Sequence, residues 1–237
     1  MASKILILDI ETKPALVYAW RAYGDQNHTE DKIVHPTSIL CVGAKWLGTK
    51  EVYLFSDWEH GKNEMLSGIH ELMSEADAII TYNGDKFDLP ILMGEFLMAG
   101  FDMPPPPTSI DLLKSVRKMG FFRNNLAFIG PFLGVGAKVK HEGFNLWSKV
   151  MEGDEKAQRR MAKYCRQDVR LTEKLYLKIR GFIKNHPHLG ENAHECGNCE
   201  SNHVQKRGYR RTKYFKIQRL QCQACGSWSD GQRQKIK

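Results

Sequence analysis

Lys4-Ile5-Leu6-Ile7-Leu8-Asp9-Ile10-Glu11-Thr12 is the stretch around which this chain is organised. Ile5 to Leu8 form an apolar run of large and branched residues, the pattern of a strand buried on both faces. Asp9 and Glu11 follow at positions i and i+2. Strand side chains alternate, so both carboxylates project to one side, about 6–7 Å apart along the backbone. Two like charges at the end of an apolar strand repel unless a cation stands between them. A hard divalent ion such as Mg²⁺ takes oxygen ligands and would supply that charge. Alone, D-x-E reads as a polar strand end in water; further carboxylates brought to the same place favour the metal.

Outward from this strand, Ser38–Trp46 and Glu51–Phe55 read as two more strands joined by a turn at Leu47-Gly48-Thr49-Lys50. Lys13–Pro36 has no period and reads as a long loop beside the first strand. Apolar spacing predicts helices at Asn63–Glu75, Leu89–Ala99, Leu112–Met119 and Leu126–Phe132, and a long one from Glu155 to Ile183. Short strands are expected at Ala78–Tyr82 and near Ser109–Leu112, and Pro104–Pro107 is a stiff connector. This order predicts an α/β sheet that opens with an antiparallel meander and is covered by helices. Residues 185–195 are polar, with Pro and Gly. They read as a linker between a domain at 1–184 and a small module at 196–237.

Two further stretches bear chemistry. Ile79–Pro90 (IITYNGDKFDLP) ends a strand at Asn83, turns, and opens a helix at Asp88, with Pro90 in its first turn. Asp88 alone reads as a helix cap. The chain order nevertheless brings Asn83 and Asp88 to the sheet edge that holds Asp9, where open α/β sheets bind ligands. In Tyr164-Cys165-Arg166-Gln167-Asp168, the phenol and the carboxylate are four apart and share a helix face with Met161, Leu171 and Leu175. An inward-facing carboxylate there needs partners, either the phenol alone or a metal.

Composition bounds the rest. The 237 residues suffice for one sizeable domain and a small one, and 42% hydrophobic with 26% charged residues is globular usage. No apolar run approaches the roughly 20 residues of a membrane span. The first strand meets an acid after four apolar residues, unlike a secretory signal. Four of the six cysteines lie in C-x-x-C pairs, which favours metal over disulfides and a reducing, cytoplasmic setting. From Glu191 onward ten Lys/Arg oppose four acids, so that segment carries +6 of the net +8. A basic module on a nearly neutral domain suits a polyanionic partner.

The motifs D-I-E-T (9–12), Y-N-G-D-K-F-D-L-P (82–90) and Y-C-R-Q-D (164–168), in this order, resemble those of the DEDD superfamily of 3′–5′ exonucleases. The resemblance covers about residues 4–183 and implies a ribonuclease H-like fold. The middle motif is most similar to the proofreading domain of family B DNA polymerases. The stretch from Ile110 to Tyr176 is similar to stand-alone bacterial and phage exonuclease-like proteins. Lys163 stands where the histidine type would have its histidine, so the tyrosine type (DEDDy) is implied. With no room for a polymerase domain, a free-standing nuclease or a subunit is expected, in a bacterial or phage-infected cell.

The resemblance implies that Asp9, Glu11, Asp88 and Asp168 hold two Mg²⁺ or Mn²⁺ ions, which activate water and stabilise the leaving 3′ oxygen. It implies that Tyr164 orients the water, a phenol of pKa about 10 being a poor base. Asn83 and Phe87, with Thr12, would position the terminal nucleotide. Asp85 reads as a turn residue and Asp111 as a cap. Gly130–Lys138 lacks G-K-[ST] and is no phosphate loop. His35, His60, His70 and His141 read as surface or packing residues, and Cys41 and Cys165 as buried thiols.

Cys196, Cys199, Cys222 and Cys225 form C-x2-C-x22-C-x2-C, the spacing of a tetrahedral structural Zn²⁺ site. The segment resembles a zinc ribbon. Between the pairs, Arg207–Leu220 alternates basic, aromatic and apolar residues as strands do. Arg207, Arg210, Arg211 and Lys213 are the expected nucleic-acid contacts, on DNA in preference to RNA, at a single strand or a duplex 3′ end. A replication or repair protein is the other partner to expect, and no membrane. Two rivals stay open: a binding or scaffold protein with a vestigial nuclease fold, and a structure-specific endonuclease.

Overall fold

A computed structural model describes residues 3–21, 29–140, 142–192 and 194–236. His141 and part of the 13–36 loop lie outside the described residues. In chain order come strands β1 (Ile5–Lys13), β2 (Leu16–Val17), β3 (Ile33–His35), β4 (Ser38–Trp46) and β5 (Tyr53–Ser56). Helices α1 (Asp57–His60) and α2 (Lys62–Ser74) follow, then β6 (Ala78–Thr81), α3 (Asp88–Ala99) and β7 (Thr108–Asp111). Next are α4 (Leu112–Val116), α5 (Leu126–Phe132), α6 (Phe144–Met151) and α7 (Glu155–Ile179). The last strands are β8 (Val204–Arg211), β9 (Phe215–Cys222) and β10 (Trp228–Lys235).

The main sheet has the order β5-β4-β1-β6-β7. β4 runs antiparallel to β1 and β5, while β6 runs parallel to β1 and β7 parallel to β6. The expected meander, mixed sheet and helical cover are therefore all present. β1 is the central strand, and its alternation explains what it does. Ile5 and Ile7 enter the core shared with α5 and α7, whereas Leu6, Leu8 and Ile10 enter the core shared with α2 and α3. Asp9 and Glu11 continue the Ile5–Ile7 row, so they face α7.

Helix α7 is seated against β4 by two local features. Its start is capped by Asp154, whose carboxylate accepts the N–H groups of Lys156 and Ala157. Its middle crosses β4 at Gly43, the residue opposite Asp9. A Cβ at Gly43 would lie 2.9 Å from both Cys165 Sγ and Val169 Cγ2. Further along, the buried Lys45 of β4 pairs with Glu173 at 2.9 Å and sets the helix register.

Three details differ from the sequence reading. β1 runs on through Lys13, with a bulge between Glu11 and Thr12, so the carboxylates lie within the strand rather than at its end. The 13–36 stretch holds the β2–β3 hairpin and a short 3-10 turn at Glu30–Lys32. Helix α6 was not anticipated, because its eight residues carry only Leu146 and Val150 into the core.

β8, β9 and β10 form a separate antiparallel sheet in the order β10-β9-β8. Described residues of the 185–195 stretch make contacts with the main domain. Leu189 is buried in the core of α7 and β1. Tyr176 Oη lies 2.8 Å from His186 Nε2, and Asn198 Nδ2 donates to Arg180 O at 2.8 Å.

Gly43→Val should push α7 off the sheet, because a β-branched side chain cannot fit between Cys165 and Val169. The expected loss is about 1–3 kcal/mol in urea unfolding. An unchanged midpoint would refute the close-approach account.

Candidate active site

Three carboxylates meet between β1 and α7. One oxygen from each of Asp9, Glu11 and Asp168 lies within 4.8 Å of the others. Asp168 is fully buried. Lys138 reaches into the group, with its Nζ 2.6 Å from Asp168 Oδ2 and 3.2 Å from Tyr164 Oη. The Tyr164 ring is buried and meets Trp147 edge-on, with centroids 6.1 Å apart. Asp88 opens α3 and is buried as well. Its Oδ1 accepts the Ile10 N–H at 3.0 Å, which fastens α3 to the backbone between Asp9 and Glu11. Asp88 thus borders the three-carboxylate group without joining it, and it does not cap its helix through its side chain.

The electrostatics follow from that crowding. Burial, then the charges of Asp88, Glu11 and Asp168, hold the Asp9 carboxyl well above its ordinary range. Burial pushes Glu11 up to about 8, with Lys138 opposing and Asp168 and Asp88 reinforcing. Burial also lifts Asp88 to about 6, against the Ile10 hydrogen bond. Burial works against the charge on Lys138, but Asp168 overrides it and keeps the ammonium protonated. Burial, Asp168 and Glu11 together raise the Tyr164 phenol, which is neutral at pH 7. Such a set of oxygen donors, short of positive charge, fits a hard divalent cation.

The group opens into a cavity of about 520 Å³ lined by Asp9, Tyr82, Asn83, Arg117, Asn125 and Lys138. Asn83 has a left-handed backbone (φ 73°), and its N–H donates to Asp111 Oδ1 at 2.9 Å. A Cβ on the next residue, Gly84, would overlap the Thr81 side chain, so this turn requires glycine. Asp111 caps α4 as expected, through Leu113 N–H. Asp85 turns away to Lys114 and Ser109. Phe87 is half-exposed at the start of α3, and Thr12 lies just past the β1 bulge.

Arg207, Arg210, Arg211 and Lys213 do not line this cavity; they belong to the β8 ribbon and its turn. Lys138 and Arg117 are the residues that the sequence reading missed. Neither lies in a motif, and Lys138 ends a stretch considered only as a phosphate loop.

The four cysteines also converge. Cys196 Sγ and Cys225 Sγ are 3.6 Å apart, as are Cys199 Sγ and Cys222 Sγ. A tetrahedral site with Zn–S of about 2.3 Å requires about 3.8 Å between sulfurs, while a disulfide requires about 2.05 Å. For Cys222, burial opposes ionisation, but the N–H groups of Cys225 and Ala224 bring its thiol down to about 7. The donor set and spacing fit a structural Zn²⁺, and the small sheet with its cysteine cluster fits a zinc ribbon.

Fold and site together define a ribonuclease H-like nuclease domain. The chain belongs to the RNase_H superfamily, whose family model matches residues 28–180. That span holds Asp88, Lys138, Tyr164 and Asp168; Asp9 and Glu11 precede it. Among solved structures, the family B DNA polymerase from the hyperthermophilic archaeon Pyrobaculum calidifontis is similar, with a TM-score of 0.55 at 15% identity. The similarity covers 75% of this chain and 24% of that one, so this chain spans about a quarter of the polymerase's length. No curated protein matches the sequence. Among the described residues, no helix is long and apolar enough to cross a membrane.

A metal ion must displace the proton that Glu11 holds up to a pH of about 8. Affinity for Mg²⁺ or Mn²⁺ by calorimetry should therefore rise with pH toward 8, with proton release, and Glu11→Gln should flatten the rise. The metal-free fold should show the matching sign. Its carboxyl binds a proton more tightly than the unfolded value of 4.5, so stability falls as pH climbs from 4.5 to about 8. A pH-independent affinity would contradict this account. Separately, Cys222→Ser should remove bound zinc, measured by elemental analysis, and melt the β8–β10 sheet first.

Proposed function

We propose that this protein is a metal-dependent 3′–5′ exonuclease that hydrolyses phosphodiester bonds of nucleic acid, with DNA the favoured substrate. The observation that carries the reading is the convergence of Asp9, Glu11 and Asp168 beside a neutral Tyr164, at the mouth of a cavity lined by Asn83 and Lys138. The preference for DNA rests on likeness to a DNA polymerase.

Asp9, Glu11 and Asp168 would hold divalent ions, and Asp88, at the border of the group, would join them once ions are bound. When bound, two Mg²⁺ or Mn²⁺ ions would supply an ionised water and offset charge on the leaving 3′ oxygen. Tyr164 keeps its proton, so its O–H orients that water rather than deprotonating it. Lys138 offsets the buried charge of Asp168 and presents an ammonium toward the cavity where a phosphate would sit. Asn83, held in its left-handed conformation by Asp111, points into that cavity and would fix the terminal nucleotide, with Phe87 packing against it and Thr12 at the strand's end. On the ribbon, Tyr209, Tyr214 and Trp228 are half-exposed beneath Lys216, Lys213 and Arg219. Cations over exposed rings suit phosphate contact with base stacking. Arg207, Arg211 and Lys213 would add phosphate contacts, while Arg210 is committed to Asp230. A replication or repair protein would be the alternative partner for this surface.

A 5′-labelled single strand with Mg²⁺ or Mn²⁺ should shorten stepwise from its 3′ end. Asp9→Ala or Asp168→Ala should lower the rate on the order of 10³-fold, the scale of several kcal/mol of lost charge stabilisation. Tyr164→Phe should cost about 10-fold, the scale of one hydrogen bond. Internal cuts would replace the reading with an endonuclease. No products on DNA or RNA would leave a binding protein with a vestigial site.

A further inference from the structure

Basic residues lead from the catalytic cavity to the ribbon. Lys114, Arg117 and Lys118 are exposed at i, i+3 and i+4, so α4 and the turn after it present one basic face. Arg117 lines the cavity that holds Asp9. Across α4, Lys114 and Lys118 line a second groove of about 410 Å³ that reaches Ile183 and Lys184. Those two residues also line a third groove, of about 640 Å³, whose other wall is the ribbon's Arg210, Arg219 and Trp228. The second and third depressions therefore adjoin at Ile183 and Lys184, and α4 with the turn after it separates the first from the second. Apart from Asp9 at the carboxylate group, the acids along them are already engaged. Asp85 is held by Lys114 and Asp230 by Arg210, and Asp111 accepts backbone N–H groups. Trp228 is 53% exposed at the far end, with the Arg219 guanidinium 5.4 Å from its ring centroid.

We propose that this path carries one single strand of nucleic acid from the carboxylates, over α4, to the seam between α7 and the ribbon. Phosphates near the cleaved end contact Arg117 and Lys118, later ones contact Lys184 and Arg219, and a base stacks on Trp228. Clefts of a few hundred Å³ each enclose a unit of small-molecule size. An exposed indole beside a guanidinium is a surface that an unpaired base can stack on. A duplex offers no such free face except at its ends. The inference rests on the nuclease reading for its direction and makes the ribbon a tether for substrate rather than for a protein.

The test is binding without turnover, by fluorescence anisotropy on the zinc-loaded full chain, with no Mg²⁺ or Mn²⁺ added and no chelator, so that the ribbon keeps its fold. The probes are labelled single strands of about 4 and about 20 nucleotides and a blunt duplex of the longer length. Lys118→Glu combined with Lys184→Glu, both at exposed positions that tolerate substitution, should reduce the ratio of long-strand to short-strand affinity by about 10-fold or more. The slope of log K against log salt should become shallower by about 1.4 for two lost contacts. Trp228→Ala should lower the same ratio without changing the salt slope. An unchanged ratio and slope, equal losses on both strand lengths, or a duplex bound as tightly as the long strand and equally weakened would each overturn the path. Because no cutting is needed, a chain that binds this way yet cleaves nothing sinks the nuclease reading alone. A chain that trims 3′ ends with wild-type binding in the variants sinks the path alone.

Discussion

Three carboxylates confined within 4.8 Å of one another repel, and much of the domain is built to withstand that repulsion. The apolar half of β1 provides the anchorage. Leu6, Ile7 and Leu8 are buried on both sheet faces, so the strand cannot yield when Asp9 and Glu11 push against Asp168. The close approach at Gly43 presses α7 onto β4 and leaves Asp168 no room to withdraw. Lys138 supplies the opposing charge, because an unpaired carboxylate as buried as Asp168 would cost several kcal/mol. The Ile10 N–H bonded to Asp88 ties a neighbouring element to the same strand. Charge, packing and backbone hydrogen bonding thus converge on one strand of nine residues.

That arrangement also separates two roles for positive charge. Lys138 is covalently part of the chain and neutralises one acid, leaving the raised Asp9 and Glu11 for a diffusible cation. Tyr164 belongs to the same balance, since the carboxylates that attract a cation also keep its phenol protonated. As a neutral phenol it accepts from Lys138 and can donate its own O–H, but it is no base at neutral pH.

The ribbon is a structural extension of α7 as much as a separate module. Tyr176 meets His186, Asn198 bonds Arg180, and the Gly181 backbone lies against Cys225 with no room for a side chain. A small sheet with Ile217 as its main buried aliphatic residue has little core of its own. The four converging cysteines on one side and the α7 seam on the other replace it, and they fix the basic, aromatic ribbon face relative to the carboxylate cavity.

Local chemistry made much of this legible in the sequence. Apolar runs, alternation and helix spacing placed β1, β4, α5 and α7, because each depends on neighbours within a few residues. The i, i+2 spacing put Asp9 and Glu11 on one side, and C-x-x-C pairs announced a metal knuckle, for the same reason. Helix α6 and the β2–β3 hairpin escaped because their sequences bury too few apolar residues to show a period. Lys138 escaped for a deeper reason. Its partners, Asp168 and Tyr164, are 30 and 26 residues away, and only the docking of α7 on β4 brings them within reach. The sequence alone could name the acids of the site, since each sits in a local motif. Which acids touch, which one is tied to a backbone amide and which cation stands among them were decided by tertiary packing, because Coulomb interactions depend on distance through space and not along the chain.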